Sequence, residues 1–303
     1  MATAISENWA ELLEPGLRRI FFDAVDGVVA TSRIPLLYNV LGSAKAQEHD
    51  LSVGGFGDFE EYEGAIEYDD NEQLFKTTYT HVEYVKGISV ERKLVDDDLY
   101  NIINQRPRQL GIAAARTREK HGASTFINAF SSSFTGGDGK ALCATDHPQS
   151  PSNSTNLSNK GTTALSYDAV VATRKLMREF VDSRGELVTV QPTLLLIPPE
   201  LEDTANDIVM TMSGRPGTAN NSNNFVRDVG INYLVWDYLT DSNDWFMIDT
   251  GLASLYLNWF NRVPLEFAAD PTSDFNLIAR YRGYMRYSYG WSDWRWVYGH
   301  EVA

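Results

Sequence analysis

One cysteine stands in the whole sequence of 303 residues, Cys143, so no intrachain disulfide can form and packing and hydrogen bonding must hold the fold. Long apolar runs are missing too. None approaches the ~20 residues needed to cross a bilayer, and no helical stretch is both basic and amphipathic enough to bind a membrane surface. Met1–Asn8 lacks a basic region followed by an apolar core, so no secretory signal is expected. Positive charge is scarce: 26 Lys and Arg against 41 Asp and Glu leave a formal net charge of −15. That argues against a nucleic-acid binder, which needs a basic surface to displace counterions from phosphates. Two readings of the acidity stay open: a wall that tolerates DNA without gripping it, and plain solubility.

Signatures of catalysis are absent as well. There is no Gly-x-Ser-x-Gly elbow. Gly136–Lys140 resembles part of a phosphate loop, but Phe134 stands where the first glycine belongs and Ala141 where Ser or Thr should follow the lysine. Cys143, Asp146 and His147 are close only in sequence, which does not build a thiol nucleophile. His49, His81, His121, His147 and His300 show no metal-site spacing. No cofactor is therefore expected. The acidic block from Glu48 reads as a solvated face in preference to a weak cation site.

What is present is strongly patterned. Leu12, Leu13, Leu17, Ile20 and Phe21 predict a helix over Trp9–Phe22, with Pro15 resetting its start. Ile34–Tyr38 reads as an extended apolar piece. Between Glu48 and Glu72 lie ten acidic residues and no Lys or Arg. Within that block Tyr62, Ile66 and Tyr68 alternate with Glu61, Glu63, Glu67 and Asp69, the period of a strand with one acidic face. A turn at Asp69–Glu72 and a second strand over Leu74–Tyr84 would complete a long ribbon. Such a ribbon is marginal alone in water. Either it folds back on its own core, or it lies on a neighbouring copy.

A long helical region follows. Asp96–Asp98 mark its start, Pro107 an interruption, and Leu110, Ala113, Ala114, Thr117, His121, Phe126, Ile127 and Phe130 its apolar face, with His121 a satisfied core histidine. Residues from Gly136 to Thr163 read as a long loop and a domain boundary. Leu165–Phe260 looks like an α/β unit: a helix capped by Ser166 with Ala169, Ala172, Leu176 and Phe180 on one face, a buried strand at Thr193–Ile197, and a helix burying Leu201, Ile208, Val209 and Met212. Its Ser213–Asn224 loop is polar. Near the end, Ala279, Tyr281, Gly283, Met285, Tyr287 and Tyr289 alternate with Arg280, Arg282 and Arg286. This is a strand with aromatic and basic faces on opposite sides, a sheet core in preference to a stacking platform for single strands.

This order of parts resembles the Hong Kong 97 fold of tailed-bacteriophage major capsid proteins. Asp138–Leu142 running on to Thr145–Pro148 looks like that family's loop after its spine helix, and Glu7–Asp23, with Trp9 and Phe21–Phe22, is similar to phage Mu-like major head subunits. The resemblance implies an α+β Hong Kong 97-like capsid fold: an N-terminal arm (1–47), an extended β-hairpin loop (48–95), a peripheral domain with a long spine helix (96–164 and 262–303) and an α/β axial domain (165–261). It implies a non-enzymatic head protein that self-assembles into hexamers and pentamers of an icosahedral shell around double-stranded DNA, bound without sequence specificity. Its place would be the virion capsid, assembled in the host cytoplasm. Phe59, Tyr62, Ile66, Tyr68 and Phe75 would touch the adjacent subunit, Arg215, Asn220 and Asn223 would line the capsomer centre, and Arg280, Arg282 and Arg286 would offer a basic face to the acidic ribbon. The missing helical scaffolding segment implies a separate scaffold protein, or a chain already processed. A portal and a decoration protein are further implied partners. The alternatives are an encapsulin-type nanocompartment shell and a soluble α+β hydrolase.

Overall fold

The computed structural model describes residues 9–59, 61, 64, 68, 72–97, 101–211, 224–269 and 278–303. The chain begins with helix α1 (Trp9–Val29), the short helix α2 (Ile34–Leu37) and strand β1 (Asn39–Gly42). The ribbon strands β2 (Gln47–Val53) and β3 (Gln73–Thr80) follow, then β4 (Val82–Glu91), the short helix α3 (Arg92–Asp96) and the long helix α4 (Ile102–Ile127). Three two-residue strands, β5 (His147–Pro148), β6 (Asn156–Leu157) and β7 (Lys160–Gly161), punctuate the loop region. Next come α5 (Tyr167–Met177), β8 (Leu194–Ile197), α6 (Glu202–Met210), α7 (Phe225–Asp228), β9 (Asn232–Val235) and β10 (Trp245–Ile248). Helix α8 (Thr250–Tyr256) and strands β11 (Leu257–Ala269), β12 (Ile278–Trp291) and β13 (Val297–His300) close the chain.

Among the described residues, β1-β11-β12-β4 form one sheet and β7-β13-β10-β8-β9 another. Helices α1 and α4 lie side by side on one face of the first sheet. Leu17, Phe21 and Val25 of α1 are spaced four apart, on one helix face. They bury against Ile103 and Leu110 of α4 and against Phe267, Ala279 and Tyr281 of the sheet. The Arg18 guanidinium donates to the Phe267 carbonyl at 2.8 Å, which ties α1 to β11. The N-terminal segment is thus part of a core, not a free arm. Pro15 and Pro107 do not break their helices. Each lies in the first two turns, where one backbone hydrogen bond is lost and the packing of the later turns outweighs it. Ile34–Leu37 is helical, not extended; Pro35 suits the start of a helix and the Tyr38 amide donates to the Ile34 carbonyl at 2.8 Å.

The second sheet is apolar on both faces at its centre. Leu195–Ile197 of β8 and Trp245–Ile248 of β10 are wholly buried, as the unbroken apolar run of β8 predicts. Phe126, near the end of α4, joins the two halves: its ring lies 5.4 Å from Phe246, 6.0 Å from Trp236 and 6.1 Å from Trp296. The closing segment therefore divides. Residues 278–291 run through the first sheet, whereas 297–300 pair with β10 in the second. Residues 128–163 are irregular, as expected, but not loose. Asn159, fully buried, donates to the Leu142 carbonyl at 2.8 Å and the Val297 carbonyl at 3.1 Å and accepts from the Ala144 amide at 2.9 Å. Asp138 meets His147 Nδ1 at 2.6 Å across this loop.

Candidate assembly surfaces

The ribbon is rooted by one histidine. His81 lies between β3, which belongs to the ribbon, and β4, which belongs to the first sheet. Its Nε2 is 3.1 Å from Ser43 Oγ and its Nδ1 is 2.9 Å from Ser288 Oγ. Ser43 donates to Glu48 at 2.7 Å, so its oxygen accepts from Nε2–H, and Ser288 donates to Nδ1. That pattern fits the neutral ring. Burial, with Arg286 and Arg262 nearby, pushes the His81 pKa down against the opposing pull of Glu48. The expected single strand Leu74–Tyr84 is broken at this point, because the chain changes sheets there.

The stem of the ribbon pairs Gln47 with Thr80 through Val53 with Gln73. Gly54 continues the pairing by donating to the Glu72 carbonyl at 2.8 Å. Its two faces differ. Thr77 and Tyr79 are buried on the chain's own body, with the Tyr79 ring 5.0 Å from that of Phe260. On the other face Leu51 and Val53 are exposed, and beyond them so is Phe56. The inner face of the stem thus takes the first of the two expected arrangements, a seat on the chain's own core, and its outer face is uncovered at Leu51 and Val53.

Phe59 and Tyr68 are exposed, at 106% and 87%. Phe75 is half-buried and lines a small groove with Trp291, Asp293 and Trp294 of the same chain. Side chains at β3's odd positions face inward here, as Thr77 and Tyr79 do. Tyr62 and Ile66 lie outside the described residues, as do Arg215, Asn220 and Asn223 and the expected turn at 69–71. Leu51, Val53 and Phe56 are further exposed apolar residues of the ribbon; their signal in the sequence is the apolar Leu51 and Val53 two apart at the start of the acidic block.

The alternation expected along β12 is present. Tyr281, Met285 and Tyr287 of β12 are buried beneath the sheet, and Arg280 and Arg282 are exposed on the opposite side. Arg286 lies 3.9 Å from Glu83 of β4, its cross-strand neighbour. The exposed Val85 and the half-buried Tyr284 sit cross-strand from one another on this outer face, which combines apolar surface with Arg280, Arg282 and Arg286 and, on the flanking strands, with the exposed Glu83, Glu91 and Glu266.

Among the described residues, none of the remaining polar clusters assembles a reaction centre. Cys143 is buried, and burial pushes its thiol pKa up. His147 pairs with Asp138, and Asp146 pairs instead with Lys140. No group of three or more His, Cys, Asp or Glu is placed to hold a metal among the described residues. Gly136–Lys140 is a tight turn in which the Lys140 amide donates to Asp138 at 3.0 Å.

Among the described residues the chain is an α+β subunit with a two-stranded ribbon and a helix-backed sheet. The chain belongs to the phage capsid protein family, whose pattern matches residues 74–299. It is similar in structure to the capsid of cyanophage P-SCSP1u, with TM-score 0.61, 12% identity, and 89% of this chain and 88% of that one covered. It is similar also to the capsid of bacteriophage JBD30 decorated with minor capsid protein trimers, with TM-score 0.55, 16% identity, and 69% and 91% covered. The capsid of an empty GTA particle matches with TM-score 0.55 and 13% identity, 90% of each chain being covered. No curated protein matches. The fold is that of the Hong Kong 97-like shells, the role is structural and not enzymatic, and the place is the virion capsid. Neither a nanocompartment shell nor a hydrolase is favoured.

Proposed function

We propose that the outer face and far end of the ribbon of one copy lie on the arginine face of the first sheet of the next copy, closing rings of six and five that build an icosahedral shell. The observation that carries this is the matched chemistry of two uncovered surfaces. The ribbon offers Leu51, Val53, Phe56, Phe59 and Tyr68 within a run of ten acids and no Lys or Arg. The sheet offers Val85 and Tyr284 among Arg280, Arg282 and Arg286. Burial of the apolar residues supplies affinity, and the opposite charges set register and suppress wrong docking. Each copy uses different surfaces at its two sides, which is the heterologous contact that closes into rings.

In this reading residues 1–47 form the N-terminal arm, 96–164 and 262–303 the peripheral part, with β13 crossing into the sheet of the axial part, 165–261 the axial part, and the 213–224 loop faces the centre of each ring. The shell assembles in the host cytoplasm on a separate scaffold, receives double-stranded DNA through a portal without reading its sequence, and can take a decoration protein. The buried Cys143 leaves a clean background for cross-linking. A Tyr68→Cys, Arg282→Cys double variant should give disulfide-linked ladders of subunits on mild oxidation, and each single variant should not. Ladders absent from assembled particles would refute the contact.

A further inference from the structure

Helix α4 carries Arg106, Arg108, Arg116, Arg118 and Lys120 against a single acid, Glu119, in a chain with an excess of negative charge. Glu119 is buried and accepts from the Ser32 hydroxyl and the Arg33 amide. Arg118 lies over the Trp259 ring at 5.6 Å. Arg106 donates to the Ser89 carbonyl. The other three point away. Arg108, Arg116 and Lys120 are exposed, and none has a carboxylate within ion-pair distance among the described residues. With the half-buried Ile112 they follow a spacing of four, which places them on one slanted ridge of the helix, each step rising ~6 Å and turning ~40°. The stripe spans ~18 Å from Arg108 to Lys120.

Its place in the layers gives it a direction. Helices α1 and α4 cover one face of the first sheet, and the arginines of β12 lie on the other. If a neighbour's ribbon covers the arginine face, as proposed above, the helix layer belongs to the opposite wall of the shell. The ribbon needs a seat that is apolar as well as basic, and the sheet face provides it. The helix stripe is a row of isolated cations, suited to a polyanion of regular charge. We propose that Arg108, Arg116 and Lys120 lie against backbone phosphates of duplex DNA on the inner wall. Contact with phosphates carries no sequence information, so this inference deepens the proposed shell reading and rests on it.

The test uses the unassembled full-length protein and a fluorescent 30-base-pair duplex at 50 and 200 mM salt. Three phosphate contacts imply a fall in affinity of about 40-fold over that range. The stripe variant, Arg108→Gln, Arg116→Gln and Lys120→Gln, should bind at least tenfold more weakly at 50 mM and lose most of the salt dependence. A control with the same charge change elsewhere, Lys175→Gln, Arg178→Gln and Arg227→Gln, should behave as wild type. A stripe variant that keeps its affinity and salt slope, or a control that falls equally, would overturn the inference. Electron microscopy of the same proteins separates the two claims. The stripe variant should still form shells, whereas failure of the ribbon contact abolishes shells and leaves DNA binding in solution intact.

Discussion

His300 is buried with both ring nitrogens engaged. Nδ1 accepts from the Thr163 amide at 3.2 Å, and Nε2 lies 2.8 Å from Thr173 Oγ1, which itself donates to the Ala169 carbonyl. The ring stacks on Trp245 at 4.1 Å between centroids. Burial pushes its pKa down to about 4, and burial also lowers His81 and His121. The unfolded chain takes up protons near pH 6.5, so the stability these neutral rings carry is complete above that value and drains as pH falls toward the folded pKa. For His300 the loss amounts to about 2 kcal/mol by pH 5. Thermal unfolding of wild type should therefore show a falling Tm between pH 7 and 5, and His300→Gln should flatten that slope. Equal slopes would show that His300 does not titrate in this way. The reading of His121 as a satisfied core histidine holds at this scale: its Nδ1 is 2.7 Å from the Tyr287 hydroxyl.

Where α1 crosses α4, the residue allowing close approach is Gly111. A Cβ there would stand 2.5 Å from the Phe21 carbonyl oxygen, a backbone atom that cannot swing aside. Alanine is favoured over glycine in a helix by about 1 kcal/mol, but the overlap should reverse the sign. Gly111→Ala is expected to destabilise by roughly 1–3 kcal/mol. Gly16→Ala, in α1 with open space around the new carbon, should stabilise by up to about 1 kcal/mol. Denaturant midpoints of the two variants moving in the same direction would contradict the packing described. Elements with one clean period were legible in the sequence: β12 by its alternation, β8 by its apolar run, α4 by its length. Those that failed did so for local reasons. The face of α5 was read as Ala169, Ala172, Leu176 and Phe180, yet Ala172 and Leu176 are exposed and Thr173 and Met177 are buried. A buried threonine paired with a distant histidine leaves no apolar signal. The basic stripe of α4 has no apolar period to mark it, and the ribbon's own seat on Phe260 depends on a contact between residues 79 and 260.

The whole molecule is a strongly acidic subunit in which the outer sheet face and α4 each carry a row of basic residues. Contacts that join an acidic ribbon to a basic face weaken as salt rises past the point where the Debye length falls below ~10 Å, near 0.1 M. Light scattering should show shell formation slowing between 50 and 500 mM NaCl, with charge reversal at Arg280, Arg282 and Arg286 slowing it further at low salt. The most direct test of the central claim is electron microscopy of purified wild-type protein beside a variant in which residues 56–71 are replaced by a short Gly-Ser turn. That variant keeps Gly54, Glu72 and the buried face of the stem. Closed shells from wild type, with soluble, folded and unassembled subunits from the shortened chain, are the predicted result; normal shells from the shortened chain would contradict it.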